Sequence, residues 1–335
     1  MNTIKHNRRR FIGILASTAT WGATPWLMRQ AAATVTPHAE TLTSWHGIAL
    51  GADAELHIHH PDRSFARQLI QRAITEVRRL EQVFSLYDSG SALVRLNTEG
   101  YLDDAPTDLI RLLHAARGFG DMTKGAFDPT VQPLWTLYAK TASAGLAAPD
   151  PAALRQALRQ VDYRAIALDG RSVHLTRPGM ALTLNGIAQG YITDRVTELL
   201  RDAGLEHALV DMGEIRGLAL NPDDRDWRVG LAGEGSDRTP LRIIDIRNRA
   251  VSTSSGAGTP LDEAGSMTHL FDPRTGKAQP RYRSVSISAS DATTADALST
   301  ACSLLDEADI RRLAARLNLQ AWILRAGESS LTAIA

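Results

Sequence analysis

The feature that most constrains the fold is that helix-like and strand-like patterns alternate in no fixed order. Apolar residues recur every three or four positions over residues 62–84, which predicts a long amphipathic helix. Further helical patterns lie at 106–119, 151–160, 188–203, 292–305 and 307–317. Strand patterns lie at 54–59, 207–211, 215–220, 227–231, 241–247, 283–289 and 319–325, and residues 141–151 are typical of a loop. Because these elements do not repeat as strand–helix pairs, the sequence predicts an α+β fold with a mostly antiparallel sheet.

The composition excludes several classes of protein. A length of 335 residues with 44% hydrophobic residues predicts one large or two modest globular domains. Lys and Arg together number 37 and so do Asp and Glu, which leaves no net charge to attract nucleic acid or an anionic membrane. The single cysteine, Cys302, excludes an intrachain disulfide and any site built from several cysteines.

The first residues have the pattern of an export signal. Arg8, Arg9 and Arg10 precede a mildly apolar stretch at 11–28, and a run of alanines at 31–33 offers a cleavage site. We expect a twin-arginine signal peptide at 1–33, a polar linker at 34–45 and one domain at 46–326. The protein is then periplasmic; the alternatives are a disordered cytoplasmic start and an uncleaved anchor. No later segment has 18 uninterrupted apolar residues, so we expect no stable membrane insertion of the mature chain.

Asp296 and Thr300 are one helical turn apart, so they share a helix face. A carboxylate and a hydroxyl are hard oxygen ligands that suit Mg²⁺. The alternative is an ordinary capped or solvated helix start, and the spacing alone does not decide between them.

His269 precedes the turn sequence Asp-Pro-Arg-Thr-Gly at 272–276. A histidine has an ordinary pKa of about 6.5 and can act as a general base when a rigid turn positions it. The alternative is a structural histidine that braces the turn.

Two small-residue segments and two polar clusters complete the candidates. Residues 186–190 precede a helix and would let main-chain groups approach a phosphate or a metal, and residues 126–130 form a second tight turn. His57 and His59 share a strand face, which is compatible with half of a zinc site but more typical of a solvated strand edge. The hydroxyl residues at 252–255 lack the Gly-x-Ser-x-Gly elbow of a serine hydrolase.

In chain order, five stretches of the sequence resemble the ApbE family of FAD:protein FMN transferases. They are Leu50-Gly51-Ala52, residues 84–87 with 93–97, residues 125–129, residues 184–191, and residues 269–276 followed by 295–301. The resemblance covers about 45–325. The sequence of residues 183–194, together with the export signal, is most similar to the NosX branch. That branch is associated with flavinylation of the membrane protein NosR for nitrous oxide respiration.

The resemblance implies a reaction and roles for the candidate residues. A Thr or Ser hydroxyl of a target protein attacks the FMN-side phosphorus of FAD, AMP leaves, and FMN stays attached through a phosphoester. Asp296, Thr300 and the Gly186 carbonyl are expected to hold Mg²⁺, and His269 to accept the proton of the hydroxyl. The expected FAD contacts are Leu50, Tyr87, Ala126, Phe127, Asp128, Thr183, Gln189 and Leu270.

The chain departs from the family pattern at three positions. Many members have an acidic residue at the position of Thr183, a small residue at that of Asn185 and Lys at that of Gln189, so the FAD contacts are expected to differ there. Two other functions are compatible with the sequence: hydrolysis of FAD to FMN and AMP, and a non-catalytic periplasmic FAD carrier or assembly chaperone. The joint presence of Asp296, Thr300 and His269 favours catalysis over the carrier.

Overall fold

The computed structural model describes residues 41–232, 240–256, 261 and 267–335. The predicted signal peptide and residues 34–40 of the predicted linker lie outside these ranges. The first strand, β1, spans Leu42–Ala49 and pairs with the second, so residues 42–45 belong to the sheet. The prediction of a linker was therefore wrong for these last residues.

The described residues form one large sheet and two small ones. The strands after β1 are β2 (Ala52–His59), β3 (Tyr101–Leu102), β4 (Ile166–Asp169), β5 (Ser172–Leu175), β6 (Ala208–Asp211), β7 (Ile215–Leu218), β8 (Trp227–Ala232), β9 (Pro240–Ile246), β10 (Ala250–Ser255), β11 (Ser284–Ala289), β12 (Gln320–Leu324) and β13 (Thr332–Ala333). Within the described ranges the large sheet has eight strands in the order β1-β2-β6-β7-β10-β11-β12-β13, and every neighbouring pair is antiparallel. The predicted α+β class with a mostly antiparallel sheet is confirmed.

Helices and short connections fill the rest of the described chain. The helices are α1 (Arg63–Phe84), α2 (Ala92–Glu99), α3 (Thr107–Met122), α4 (Gln132–Ser143), α5 (Pro151–Leu158), α6 (Ala188–Asp202), α7 (Ala292–Cys302) and α8 (Glu307–Leu317). The predicted long helix matches α1, and Gly204 has the left-handed backbone, with a φ of 81°, that ends α6 as expected. The predicted loop at 141–151 begins too early, because α4 continues through Ser143.

Two hydrophobic layers cover the two faces of the large sheet. On one face, α1, α6 and α7 pack over inward-facing residues such as Leu56, Val210 and Ile287. On the other face, the ribbon of β8 and β9 packs Trp227 and Ile244 against the sheet. Since residues alternate between faces along a strand, strands β6, β10 and β12 contribute buried residues to both layers. Helices α6 and α7 are in direct contact, which brings residues about 100 positions apart in the chain together.

The strand-edge interpretation of His57 was wrong. Strand β2 lies between β1 and β6, and His57 is 8% exposed. Its Nδ1 lies 2.9 Å from Ser44 Oγ and its Nε2 lies 3.2 Å from Glu55 Oε2, so the ring is held by neighbours in the sheet. No group of three or more His, Cys, Asp or Glu residues that could hold a metal occurs in the described part of the chain. None of the described helices combines the length and apolarity that a membrane crossing requires.

Candidate active site

A cavity beside the N-terminal end of α6 and the face of α7 that carries Asp296 and Thr300 brings the predicted site residues together. It contains about 1280 Å³ of empty space, its open mouth included. Every residue that the sequence predicts for FAD, for Mg²⁺ or for proton transfer lines it: Leu50, Tyr87, Ala126, Phe127, Asp128, Thr183, Gly186, Gln189, His269, Leu270, Asp296 and Thr300. These residues come from six separate segments, and only the folded chain makes them neighbours.

A tight turn places Leu50 on the cavity wall. Leu50 and Gly51 connect β1 to β2, and both have positive φ angles, 47° and 83°. Two consecutive positive φ angles define the type I′ turn that matches the twist of a hairpin. This backbone is unfavourable for leucine, and the Leu50 N–H donates to Glu81 Oε1 on α1 over 2.8 Å. Helix α1 therefore holds the hairpin tip at the cavity.

The Asp128 carboxylate shapes a second wall. It accepts hydrogen bonds from the Thr130 N–H at 2.7 Å, the Thr130 hydroxyl at 2.5 Å and the Tyr163 N–H at 3.0 Å. Burial raises the pKa of Asp128 to about 6, and these three donors oppose the rise. The side chain thus organises the 126–130 turn, and the turn presents Ala126 and Phe127 to the cavity.

Asn97 on α2 clasps the irregular segment that precedes α6. The Leu182 N–H donates to Asn97 Oδ1 over 2.6 Å, and Asn97 Nδ2 donates back to the Leu182 carbonyl over 2.8 Å. The next residue, Thr183, donates its N–H to the Pro129 carbonyl over 2.8 Å. The segment that carries Thr183 and Gly186 is thereby fixed between α2 and the 126–130 turn.

Three neighbouring residues, Gly186, Asp296 and Thr300, offer oxygen atoms that could bind a metal ion. Asp296 is 3% exposed, its Oδ2 accepts the Gly190 N–H over 3.0 Å, and burial raises its pKa to about 7. The Gly186 main chain passes so close to Thr300 that a Cβ on Gly186 would lie 2.9 Å from Thr300 Oγ1. A carboxylate, a hydroxyl and a main-chain carbonyl are the ligand types that Mg²⁺ takes, and a cation would compensate the buried charge. The oxygen atoms of Gly186, Asp296 and Thr300 therefore have the chemistry that a Mg²⁺ site requires.

The Asp194 carboxylate, which has no signal in the sequence, joins α6 to the start of α7 and so fixes the positions of Gly186, Asp296 and Thr300 relative to one another. Asp194 on α6 accepts the N–H groups of Ala292 and Thr293, both at 2.8 Å, and the Thr293 hydroxyl at 2.6 Å. Its side chain also pairs with Arg216. A residue of α6 therefore caps the N-terminus of α7, which carries Asp296 and Thr300.

Glu214 is a second residue of the cavity region that the sequence patterns did not predict. It lines the cavity and is nearly buried. Burial raises the pKa of the Glu214 carboxyl well above its ordinary value, and the charge of Asp296 raises it further, while a hydrogen bond with Ser252 opposes the shift. A single glutamate between two short strands carries no sequence signal, because its neighbours in space come from distant segments.

His269 precedes a turn that is anchored to the chain just after α7. The Asp272 carboxylate accepts a hydrogen bond from the Arg274 main-chain N–H at 3.0 Å. It also accepts from Arg274 Nε at 2.8 Å and from Arg274 Nη2 at 2.9 Å. Arg274 Nη2 also donates to the Leu304 carbonyl over 3.3 Å. The half-buried His269 imidazole lines the cavity three residues before this fixed turn, where it is accessible to a ligand in the cavity.

Comparison with known proteins identifies the family of this chain. The family model described as the ApbE family matches residues 50–323. A Treponema pallidum protein named FAD:protein FMN transferase is 33% identical over 260 residues, which are 70% of this chain and 71% of that protein. An Escherichia coli K12 protein with the same name is 23% identical over 307 residues, 88% of each chain. The chain belongs to the ApbE family.

Solved structures share the fold. The crystal structure of the ApbE protein from Thermotoga maritima superposes with a TM-score of 0.79 at 26% identity, covering 87% of this chain and 96% of that one. The apo flavinyl transferase ApbE of Pseudomonas stutzeri gives a TM-score of 0.74 at 22% identity, covering 87% and 94%.

Proposed function

We propose that this chain is an Mg²⁺-dependent FAD:protein FMN transferase that modifies a Thr or Ser hydroxyl of another protein. Flavin transfer is the activity named for its family relatives. The observation that carries the mechanism is the single cavity in which the predicted base, metal donors and FAD contacts meet.

In this reaction the acceptor oxygen forms a bond to the FMN-side phosphorus of FAD, and the bond from that phosphorus to AMP breaks. Phosphoryl transfer depends mainly on positioning and charge neutralisation. Asp296, Thr300 and the Gly186 carbonyl would hold Mg²⁺, which neutralises charge on the pyrophosphate. His269 would take the proton from the acceptor hydroxyl.

The remaining walls suit the rings of FAD. Leu50, Phe127 and Leu270 offer apolar surface, and Tyr87 lies at the rim with 57% of its surface exposed. Aromatic and aliphatic walls with a few polar groups are typical of sites for ligands with large rings. Gln189 is neutral, so at this position the chain offers no positive side chain to the FAD phosphates, unlike the members that have Lys there.

A purified full-length chain tests the proposal directly. It is incubated with FAD, Mg²⁺ and a candidate acceptor domain, and covalent FMN is detected by in-gel fluorescence and by mass. Asp296→Ala should abolish transfer, while Asp202→Ala, an exposed aspartate at the end of α6, should not. Full transfer by Asp296→Ala in excess EDTA would contradict the assignment.

The same reaction separates the two alternatives. A hydrolase releases free FMN and AMP at the same rate with or without acceptor, because water replaces the hydroxyl. A carrier binds FAD and releases neither product. The joint presence of His269, Asp296 and Thr300 in one cavity supports catalysis over storage.

We further propose that the chain acts in the periplasm, that it belongs to the NosX branch, and that its acceptor is the periplasmic domain of NosR. The arginines at 8–10 and the wording of residues 183–194 support this. A fusion of residues 1–45 to a reporter that must fold before export should reach the periplasm, and replacing Arg8, Arg9 and Arg10 by Lys should stop it. Export of the triple variant, or absence of FMN from NosR in the incubation above, would count against the respective proposal.

A further inference from the structure

The hydroxyl residues on β10 lie against the helix that carries the metal donors. Ser254 Oγ lies 2.7 Å from Ser299 Oγ and 3.4 Å from Thr300 Oγ1, and Ser252 Oγ lies 2.9 Å from Ser299 Oγ. Ser299 is fully buried and Ser252 is 2% exposed. We propose that Ser254 and Ser299 are positioning residues that turn the Thr300 hydroxyl proton away from the metal site, so that Thr300 Oγ1 faces the cation with its lone pairs. This inference rests on the proposed Mg²⁺ site.

Counting protons gives the direction of each bond. A serine or threonine hydroxyl has one proton to donate and two lone pairs to accept with. Ser299 Oγ donates to the main-chain carbonyl of Asp296 over 3.0 Å, and a carbonyl can only accept. Ser299 has then used its proton, so it accepts from Ser254.

The same count of protons gives the orientation of the Thr300 hydroxyl. Because Ser254 has given its proton to Ser299, Ser254 Oγ can only accept from Thr300, and the Thr300 proton points at β10. The lone pairs of Thr300 Oγ1 are left for the other side, where the Gly186 main chain passes. A ligand hydroxyl must present its oxygen and not its proton to a cation, so the chain of hydroxyls prepares Thr300 to bind one.

The strand supplies a matched control. Ser286 on β11 is fully buried, and its Oγ lies 2.8 Å from Thr253 Oγ1. It makes the same kind of hydroxyl–hydroxyl bond to strand β10, but from β11 and not from α7, and it is not part of the series of hydroxyls that ends at Thr300. Ser286→Ala therefore removes a comparable buried hydroxyl without changing the orientation of Thr300.

The test measures metal affinity rather than activity. The full chain, saturated with FAD, is titrated with Mn²⁺ and the free ion is counted by electron paramagnetic resonance. Ser254→Ala and Ser299→Ala should bind Mn²⁺ roughly 10- to 100-fold more weakly, the usual cost of losing a partner that orients a metal ligand. Ser254→Thr, which keeps the hydroxyl, should restore the affinity, and Ser286→Ala should leave it unchanged. Metal-free FAD affinity and melting temperature should match those of Ser286→Ala.

Two outcomes would overturn the inference. Unchanged Mn²⁺ affinity in Ser254→Ala and Ser299→Ala would show that Thr300 needs no orientation, and an equal loss in Ser286→Ala would assign the effect to general packing. Asp296→Ala, titrated alongside, distinguishes this failure from failure of the metal site itself. If Asp296→Ala loses the ion and the serine variants do not, only the positioning role is lost; if Asp296→Ala binds as the wild type does, the proposed Mg²⁺ site fails as well.

Discussion

The main chain of Gly190 and the side chain of Asp296 touch with no room for a further atom between their helices. The Gly190 N–H donates to Asp296 Oδ2 over 3.0 Å. A Cβ on Gly190 would lie 2.2 Å from the Ala292 carbonyl oxygen and 2.8 Å from the Asp296 Cβ. The first turns of α6 and α7 are therefore packed backbone against backbone beside the residues proposed to bind Mg²⁺.

Gly190→Ala should separate these helices. The added methyl group meets main-chain atoms that cannot rotate away, so we expect a lower melting temperature and at least tenfold weaker Mn²⁺ binding. Gly118→Ala is the control, because a Cβ there meets nothing within 4 Å, and alanine in a helix stabilises by roughly 0.5–1 kcal/mol relative to glycine. Normal Mn²⁺ affinity in Gly190→Ala would show that the close contact does not position Asp296.

Asp194→Ala should lower the free energy of unfolding more than the substitution of an exposed residue does. It leaves Arg216 without its buried partner and removes the acceptor for two N–H groups of α7. Breaking a buried pair in this way costs about 3–5 kcal/mol. Chemical denaturation measures the free energy of unfolding, with Asp202→Ala at the exposed end of the same helix as control. A loss of stability no larger than that of Asp202→Ala would contradict the capping role.

Asp211→Asn should stabilise the protein above neutral pH. Burial raises the pKa of Asp211 to about 7, and the charges of Glu55 and Asp53 add to the rise. Because the folded pKa lies above the unfolded value of about 3.9, stability from this group is complete below about pH 4 and is lost as the pH rises through 7. Asparagine does not ionise and keeps an oxygen for the Gly213 N–H, which donates to Asp211 Oδ1 over 3.0 Å.

The pH dependence is the diagnostic quantity for Asp211. At pH 8 the variant should be more stable than the wild type by at most about 4 kcal/mol, at 1.36 kcal/mol for each pKa unit. Near pH 4 the advantage should vanish. Melting curves at both pH values test this, and a constant difference between the two proteins would show that the carboxyl does not titrate with folding.

His269→Ala should slow the chemical step. A positioned base contributes roughly 10²–10⁴-fold, so single-turnover transfer at saturating FAD should fall by about that factor while FAD and Mg²⁺ affinities stay close to those of the wild type. Wild-type transfer should also slow in acid, where a protonated imidazole cannot accept a proton. His114→Ala, on the exposed side of α3, is the control. An unchanged single-turnover rate with a lowered melting temperature would make His269 a brace for the turn instead.

Sequence patterns predicted the long helices and strands, and the resemblance predicted the ApbE family, but neither predicted the polar contacts that join these elements. Helix α1 has enough turns to show its period, whereas α2 spans only Ala92–Glu99 and does not. Strand β10 was missed because its polar residues hide the alternation; its serines face Ser299, which lies 45 or more residues away. The partners of Asp194 are 98 and 99 residues distant, so no local pattern could assign its role.

The outcome for the site residues shows the same division. The predicted metal ligands, base and FAD contacts all line the cavity, and the FAD contacts were predicted by the resemblance to the ApbE family and not by a local turn or helix signal. Asn97, Asp194 and Glu214 have no such signal, since each acts through main-chain or side-chain groups from another part of the chain. His57 was misinterpreted because the pattern of one strand does not say whether a neighbour covers it on each side.

The clasp between Asn97 and Leu182 has a consequence for how tightly a nucleotide can bind. Ordering one residue of backbone costs about 1–2 kcal/mol of conformational entropy. In this protein the segment that carries Thr183 and Gly186 is already held by paired hydrogen bonds to α2. Its ordering belongs to folding and not to ligand capture, so binding of a nucleotide against this wall does not have to include the entropy cost of ordering this segment.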